Sequence, residues 1–296
     1  MPVWSPELVV DEPLVRRLLS QFPELEVRSL QKLAEGWDNS VWLVDGRWAF
    51  RFPHREIAIP GVERELVVLA RLPALPLAVP RPAFVGRPDG GFPWPFFGSE
   101  LVAGVEAGDA ELDDAGRVAV GVELAAFLRE LHAVELDVDL PWDANARADM
   151  QRRATLARQQ LGEVEKLGVW SAPRQVEELL VEAQGLLPPE RPVVVHGDLH
   201  FRHLLVDRGA ASGVIDWGDV CRADPAIDLP LLWSFVPPRG RTAFLDAYGP
   251  VNDAQLLRAR VLAIQLCAAL AEYARVEGNA GVEREAVAGL ERALQD

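Results

Sequence analysis

The sequence predicts an α+β protein in two parts: residues 1–102 as a small antiparallel sheet carrying one helix, and residues 103–296 as a larger, mainly helical part. Three observations lead there. The spacing of apolar residues changes once, from the alternation of strands before about Val102 to the 3.6-residue recurrence of helices after Asp114. Between the two lies Ala103–Asp113 (AGVEAGDAELD), a small and acidic stretch that reads as a linker. Strand-like runs then return in one place, residues 193–217, inside the helical half. At 296 residues and 49% hydrophobic content, the chain is long and apolar enough for a proper core in each part.

The strands of the first part are VRSLQKL (27–33), NSVWLV (39–44), RWAFRF (47–52), PAFVG (82–86) and PFFGSELV (95–102). Asp45-Gly46 between the second and third is a hairpin signal, because the tight turn that matches strand twist needs residues tolerant of positive φ. The DGG at 89–91 marks another turn. PGVERELVVLARL (60–72) is the one helix, with Pro60 pre-set for a first turn and Pro73 just past the end. Helices of the second part are expected at 115–134, 147–167, 174–187, 253–278 and 283–295, each with apolar residues recurring three and four apart. No internal repeat or low-complexity run occurs.

The formal net charge of −15 argues against nucleic acid as a partner, because phosphate backbones are bound by basic surfaces. It is compatible with a cationic small substrate, and equally with solubility alone. The first residues carry no basic stretch leading into an apolar one, and no run approaches about 18 uncharged apolar residues. Neither export nor a membrane span is therefore expected. Cys221 and Cys267 stand far apart and outside any paired spacing, which supports neither a disulfide framework nor a zinc site. A cytoplasmic monomer is the natural setting. Lys32 and Lys166 are the only lysines, so the cations are nearly all arginine.

Chemistry is concentrated in VVVHGDLHFRHLLVDRGAASGVIDW, residues 193–217. Val193–Val195 leads into His196-Gly197-Asp198. A second run, Leu204–Val206, turns at Asp207-Arg208-Gly209, and a third, Val214-Ile215, ends in Asp216. Aspartates at strand ends are often simple turn formers. If the last two runs pair as a hairpin, however, the loop 196–203 and Asp216 arrive at the same end of the sheet. Two carboxylates and the imidazole of His203 then share a small volume, and like charges gathered in that way call for a cation. Hard carboxylate oxygens suit Mg²⁺ carrying phosphates.

HGDLHFRH (196–203) followed by VIDWGD (214–219) resembles the catalytic and metal-binding loops of the aminoglycoside and macrolide phosphotransferase family, and nearly the whole chain is covered by that resemblance. It implies a protein-kinase-like fold with an N-terminal nucleotide-binding lobe, 1–102, and a C-terminal helical lobe, 103–296. It implies Asp198 as the catalytic aspartate that orients a substrate hydroxyl and accepts its proton, and Asp216 as a Mg²⁺ ligand. Five residues after the catalytic aspartate most of the superfamily has Asn, whereas this chain has His203, as macrolide phosphotransferases do. The resemblance therefore leans to the macrolide 2′-phosphotransferase branch, with His203 as a second metal ligand. His196 and His200 are expected to brace the loop, Asp228 to support it from below, and Asp224 to cap a helix.

In the small lobe, strand alternation places Trp48, Phe50 and Phe52 on one face and Arg47, Ala49 and Arg51 on the other. Ala49 beside Arg51 is similar to the Ala and Lys of the kinase phosphate-binding strand, with Arg replacing Lys. The implied counter-ion is Glu65, with Glu63 as the fallback. Ala34–Ser40 stands where a glycine-rich phosphate cover belongs, and Gly36 and Ser40 are its candidates to approach the nucleotide. Ser99–Val102 occupies the lobe connection, so the carbonyl of Glu100 and the N–H of Val102 are candidates to read the purine edge. Main-chain reading leaves ATP and GTP equally open as phosphoryl donors.

The implied function is a kinase of small-molecule hydroxyls, with an antibiotic or a metabolite alcohol as acceptor. Trp233, Phe235 and Tyr248 are candidates to line a wide apolar pocket for a macrolide, while Glu272 and Glu277 would suit an aminoglycoside. Two rivals remain at this level. Asp198-Leu199-His200 superficially fits a metallophosphoesterase, although the chain has few histidines for one. The sparse glycine loop and the replaced Lys and Asn also fit an inactive, kinase-shaped binding module.

Overall fold

The computed structural model describes residues 6–36, 38–189 and 192–296. The chain divides into two compact units, Met1–Leu72 with Val79–Val102, and Pro73–Ala78 with Ala103–Asp296.

The first unit is built on five antiparallel strands: β1 (Leu30–Glu35), β2 (Asn39–Val44), β3 (Trp48–Pro53), β4 (Pro82–Gly86) and β5 (Phe96–Glu100), in the order β1-β2-β3-β5-β4. Asp45 and Gly46 both take positive φ (53° and 65°), and the hairpin they close sets the β2–β3 register, Val44 opposite Trp48. The strand alternation holds, since Phe50 and Phe52 are fully buried. Their rings join Phe92 and Phe96 in one cluster, Phe52 stacking on Phe96 with centroids 4.9 Å apart. Gly98 is dictated by that packing: a Cβ there would lie 2.5 Å from the Phe50 ring.

Among the described residues, two α-helices belong to this unit. The one starting near Pro60 runs from Ile59 to Leu69 (α2), slightly earlier at both ends than the prolines suggest. The other, α1 (Glu12–Leu19), was not expected from the sequence. Asp11 caps it, accepting from the Leu14 N–H at 3.0 Å, and Val15, Leu18 and Leu19 enter the aromatic core. At 8 residues the helix is too short to register as a periodic pattern, and it persists because that one face is buried.

The second unit has the helices α3 (Asp114–His132), α4 (Met150–Lys166), α5 (Arg174–Gln184), α6 (Pro230–Ser234), α7 (Arg241–Tyr248), α8 (Asp253–Glu277) and α9 (Ala280–Ala293). The longest, α8, opens on a capping box between Asn252 and Gln255 and closes at Gly278 in the left-handed conformation, φ 72°. Its length and composition would suffice to cross a membrane, but 67% of its most apolar window is buried within the protein. Val261, Ile264, Cys267 and Ala268 of α8 pack against α4, α5 and α9 in the core of this unit. Burial pushes the thiols of Cys221 and Cys267 up to about 12, so both stay protonated.

Five short strands lie among these helices. β6 (Val105–Glu106), β8 (Leu204–Asp207) and β9 (Ala210–Val214) form one sheet, and β7 (Val193–Val195) pairs with β10 (Cys221–Ala223) in another. The stretch that reads as a linker thus contributes β6 to the sheet, with Val105 opposite Val206. Two residues carry no period, so composition alone described them.

Candidate active site

β8 and β9 pair antiparallel, with Leu204 opposite Val214. One step further the Ile215 N–H donates to the His203 carbonyl at 3.0 Å, which draws the end of the 196–203 loop onto the residue preceding Asp216. Below them β7 and β10 align Val195 with Cys221. The loop between β7 and β8 and the loop between β9 and β10 therefore meet. Gly197 allows that approach: its φ is 90°, and a Cβ would lie 2.3 Å from the Asp219 carbonyl oxygen. Asp216 takes a left-handed conformation, φ 66°, which costs a non-glycine residue about 1 kcal/mol or more and is held by its surroundings.

Asp198, His203 and Asp216 come together in this pocket of loops. Nδ1 of His203 lies 2.7 Å from the Asp198 carbonyl oxygen, a distance at which it must donate. Its other ring nitrogen, Nε2, faces Oδ2 of Asp216 at 3.5 Å. An imidazole nitrogen and carboxylate oxygens gathered in this way are groups that could hold a cation. The His200 ring lies against His203, tilted by 31° with centroids 3.8 Å apart, and its Nε2 lies 3.8 Å from Oδ2 of Asp198. Ligand atoms of Asp198, His200 and His203 all fall within 4.8 Å of one another. Burial pushes its ring well below the ordinary histidine value, so it is a neutral imidazole. Its Nδ1 accepts from the Arg202 N–H at 3.3 Å, which places the proton on Nε2 and makes His200 a brace of the loop.

His196 is fully buried and links the two loops. Its Nδ1 accepts from the Asp198 N–H at 3.2 Å and its Nε2–H donates to the Ile215 carbonyl at 3.0 Å. Beneath it Asp228, also fully buried, accepts from the His196 N–H at 2.6 Å and the Gly197 N–H at 2.9 Å. A third contact, 3.1 Å to Nε2 of His132, continues through Nδ1 to the Tyr248 hydroxyl at 2.8 Å. Burial alone would raise the Asp228 carboxyl, but His132 and these N–H groups hold it below the usual range. Asp224 caps the following helical turn, accepting from the Ala226 N–H at 2.8 Å, and pairs with Arg258 at 2.6 Å.

Two residues at the centre had no role in the sequence reading. Nη2 of Arg147 donates to Oδ1 of Asp198 at 2.6 Å and to Oδ2 of Asp219 at 2.7 Å. Burial lowers the charged form of Arg147, but Asp198 and Asp219 outweigh it and keep the guanidinium protonated. Burial also raises the Asp198 carboxyl, with Arg147 opposing, and it stays above the usual carboxylate value. Asp219 lies inside the VIDWGD motif and was visible there. Arg147 was hidden in an expected helix over 147–167, although the Asp at 149 is a cap signal that starts α4 at Met150 and leaves Arg147 on the preceding loop.

In the first unit Arg51 lies 3.2 Å from Glu65, whose side chain is 1% exposed, while Glu63 is exposed. The fallback is thereby set aside. Ser40 is fully buried and its hydroxyl donates to Glu35 at 2.9 Å, so that side chain is committed to the β1–β2 hairpin. The Gly36 N–H donates to the Asn39 carbonyl at 2.8 Å, and Trp37 between them lies outside the described residues. Glu100 ends β5 with its side chain 3.3 Å from Arg47, and Val102 closes the unit. Of the candidate acceptor residues, Phe235 is buried and Tyr248 is bonded to His132. Trp233 lies between the guanidinium groups of Arg241 and Arg260, 4.5 and 4.6 Å from the ring centroid. These aromatics serve packing. Glu272 is partly buried and Glu277 exposed.

Residues 29–281 match the model of the phosphotransferase enzyme family. The chain belongs to that family. An aminoglycoside 3'-phosphotransferase of Escherichia coli is 32% identical over 126 residues, 41% of this chain and 45% of that protein. The chain thus spans less than half the length of the curated relatives it matches. Among solved structures, the GDP and kanamycin complex of APH(2")-IIIa superposes with a TM-score of 0.70 at 21% identity, covering 96% of this chain and 98% of that one. The apoenzyme of macrolide 2'-phosphotransferase MphH from Brachybacterium faecium gives 0.60 at 23%, covering 93% and 97%. At such identities the likeness is one of fold, and it places this phosphotransferase-family chain in the kinase-like α+β architecture, antiparallel sheet first and helices after.

Proposed function

We propose that this phosphotransferase-family protein moves the γ-phosphoryl group of ATP or GTP to a hydroxyl of a small molecule, an aminoglycoside or macrolide antibiotic. The observation that carries the reading is the convergence of Asp198, His203 and Asp216 on one cluster of loops, with Nε2 of His203 turned to Asp216. The curated relatives that match are aminoglycoside 3'-phosphotransferases, and the solved neighbours include a GDP and kanamycin complex and a macrolide 2'-phosphotransferase. The net charge of −15 suits a cationic acceptor.

In this mechanism Asp198 orients the acceptor hydroxyl and takes its proton as the oxygen attacks in line. Asp216 and His203 would hold Mg²⁺, which when bound neutralises charge on the transferring phosphates. Arg51, paired with Glu65, would supply a guanidinium to phosphate oxygens, and Gly36, Glu100 and Val102 would approach the nucleotide by their main-chain groups. Little covalent work falls to the protein; orientation and charge carry the rate.

Incubated with Mg²⁺, ATP or GTP, and a panel of kanamycin, other aminoglycosides and macrolides, the protein is expected to add one phosphoryl group to at least one acceptor. An unmodified panel with both nucleotides would sink the reading. Asp216→Ala is expected to lose both Mg²⁺-dependent nucleotide binding, followed by calorimetry, and turnover. A variant that still binds Mg²⁺-nucleotide as tightly as wild type would remove Asp216 from the metal site.

A further inference from the structure

We propose that Arg147 is the positioning residue of the transfer reaction: its guanidinium, anchored on Asp219, grips Oδ1 of Asp198 and leaves Oδ2 to the acceptor hydroxyl. The inference rests on the phosphotransferase reading of Asp198. One nitrogen, Nη2, makes both contacts, at 2.6 Å to Asp198 and 2.7 Å to Asp219. A carboxylate on a short side chain can rotate about its last bond; a charge-assisted bond to one oxygen fixes that rotation. The second oxygen of Asp198 is then directed by default, lying 3.8 Å from Nε2 of His200 and 3.8 Å from Nδ1 of His203.

The loop that presents Arg147 is built for the task. Asp143 and Ala146 both sit at positive φ, 35° and 50°, a conformation that non-glycine residues hold only when their surroundings impose it. The imposing contacts are present on every side. The Asp143 N–H donates to the Arg222 carbonyl, and the Arg222 N–H to the Pro141 carbonyl, each at 3.0 Å, which stitches the loop to β10. The Asp143 carboxylate accepts from the N–H groups of Arg147 at 2.6 Å and Ala148 at 2.8 Å. From α4, Arg153 donates to the carbonyls of Ala146, at 3.1 Å, and Asn145. Strain, two backbone clamps and a carboxylate turn thus converge on one arginine, whose side chain is 13% exposed.

The test is a kinetic split on the full-length protein, using whichever acceptor of the antibiotic panel accepts phosphate. Arg147→Ala is expected to lower kcat by ~10² or more, since a small misplacement of a reacting group costs about that much. KM for Mg²⁺-nucleotide should move less than about threefold. Arg147→Lys should recover part of kcat and not all, because an ammonium restores the charge on a shorter side chain that ends short of the position of Nη2. Added guanidinium ion at non-denaturing concentration should restore part of the Arg147→Ala rate. Asp219→Asn should fall between wild type and Arg147→Ala. Unchanged kcat in Arg147→Ala, or a loss that neither guanidinium nor Lys recovers, would overturn the assignment. A wild type that phosphorylates no acceptor would instead overturn the phosphotransferase reading and take this role with it.

Discussion

Asp198→Asn is expected to lower turnover by ~10²–10⁴ while leaving Mg²⁺-nucleotide affinity within a few-fold of wild type. The amide keeps the shape of the carboxyl and can still accept from Arg147, so the loop is not asked to rearrange. What it cannot do is accept the proton of an attacking hydroxyl. The Asp198 N–H is held by His196 and its carbonyl by His203, so the side chain changes without disturbing either backbone contact. Steady-state rates and a binding isotherm on the same preparation check the split. Retained turnover would remove Asp198 from the chemistry; lost nucleotide binding would show the substitution acting on the whole site.

The largest effect on stability is expected at Asp228. Asp228→Ala leaves two buried backbone N–H groups, of His196 and Gly197, and the imidazole of His132 without their shared acceptor. Removing one partner from such a buried charged network costs about 3–5 kcal/mol, well above the replacement of an exposed residue. The pH dependence follows from the sign of the shift. Asp228 is held below its ordinary value in the fold, so its stabilisation is complete above the unfolded value of about 3.9 and drains away as pH falls through the lower folded value. Urea midpoints should therefore separate wild type from Asp228→Ala by the same gap at pH 7 and 5, and the gap should begin to narrow as pH falls below about 4. A gap that widened toward acid would contradict the assignment of Asp228 as an ionised acceptor. Turnover should fall with stability, since the same carboxylate holds the backbone on which Asp198 stands.

Much of this arrangement was legible because its determinants are local. Asp45-Gly46 sets a turn, and the turn sets the register that buries Phe50 and Phe52. Asp207-Arg208-Gly209 similarly closes β8 onto β9, with Arg208 and Gly209 at positive φ, and the pairing carries Asp216 to the loop of Asp198. The partnership of Arg51 with Glu65 was implied by the resemblance to the kinase strand, and the two side chains do meet, 3.2 Å apart. What stayed hidden depends on contacts distant in sequence or on elements too short to repeat. α1 has caps and an apolar face but only two turns, and β6 is two residues whose pairing partner lies about a hundred positions away. Arg147 reaches Asp198 across 51 residues, from a loop whose form depends on Arg222 and Arg153. No spacing rule encodes that contact.

The account depends on one metal–nucleotide centre formed by side chains 198, 203 and 216, and manganese in place of magnesium reports on it by electron paramagnetic resonance. With a nucleotide analogue that resists transfer, one Mn²⁺ per chain is expected to show coupling to an imidazole nitrogen. That coupling should vanish in His203→Asn while the ion remains bound, and the ion itself should be lost in Asp216→Ala. Bound manganese whose spectrum and affinity are indifferent to both substitutions would contradict the account.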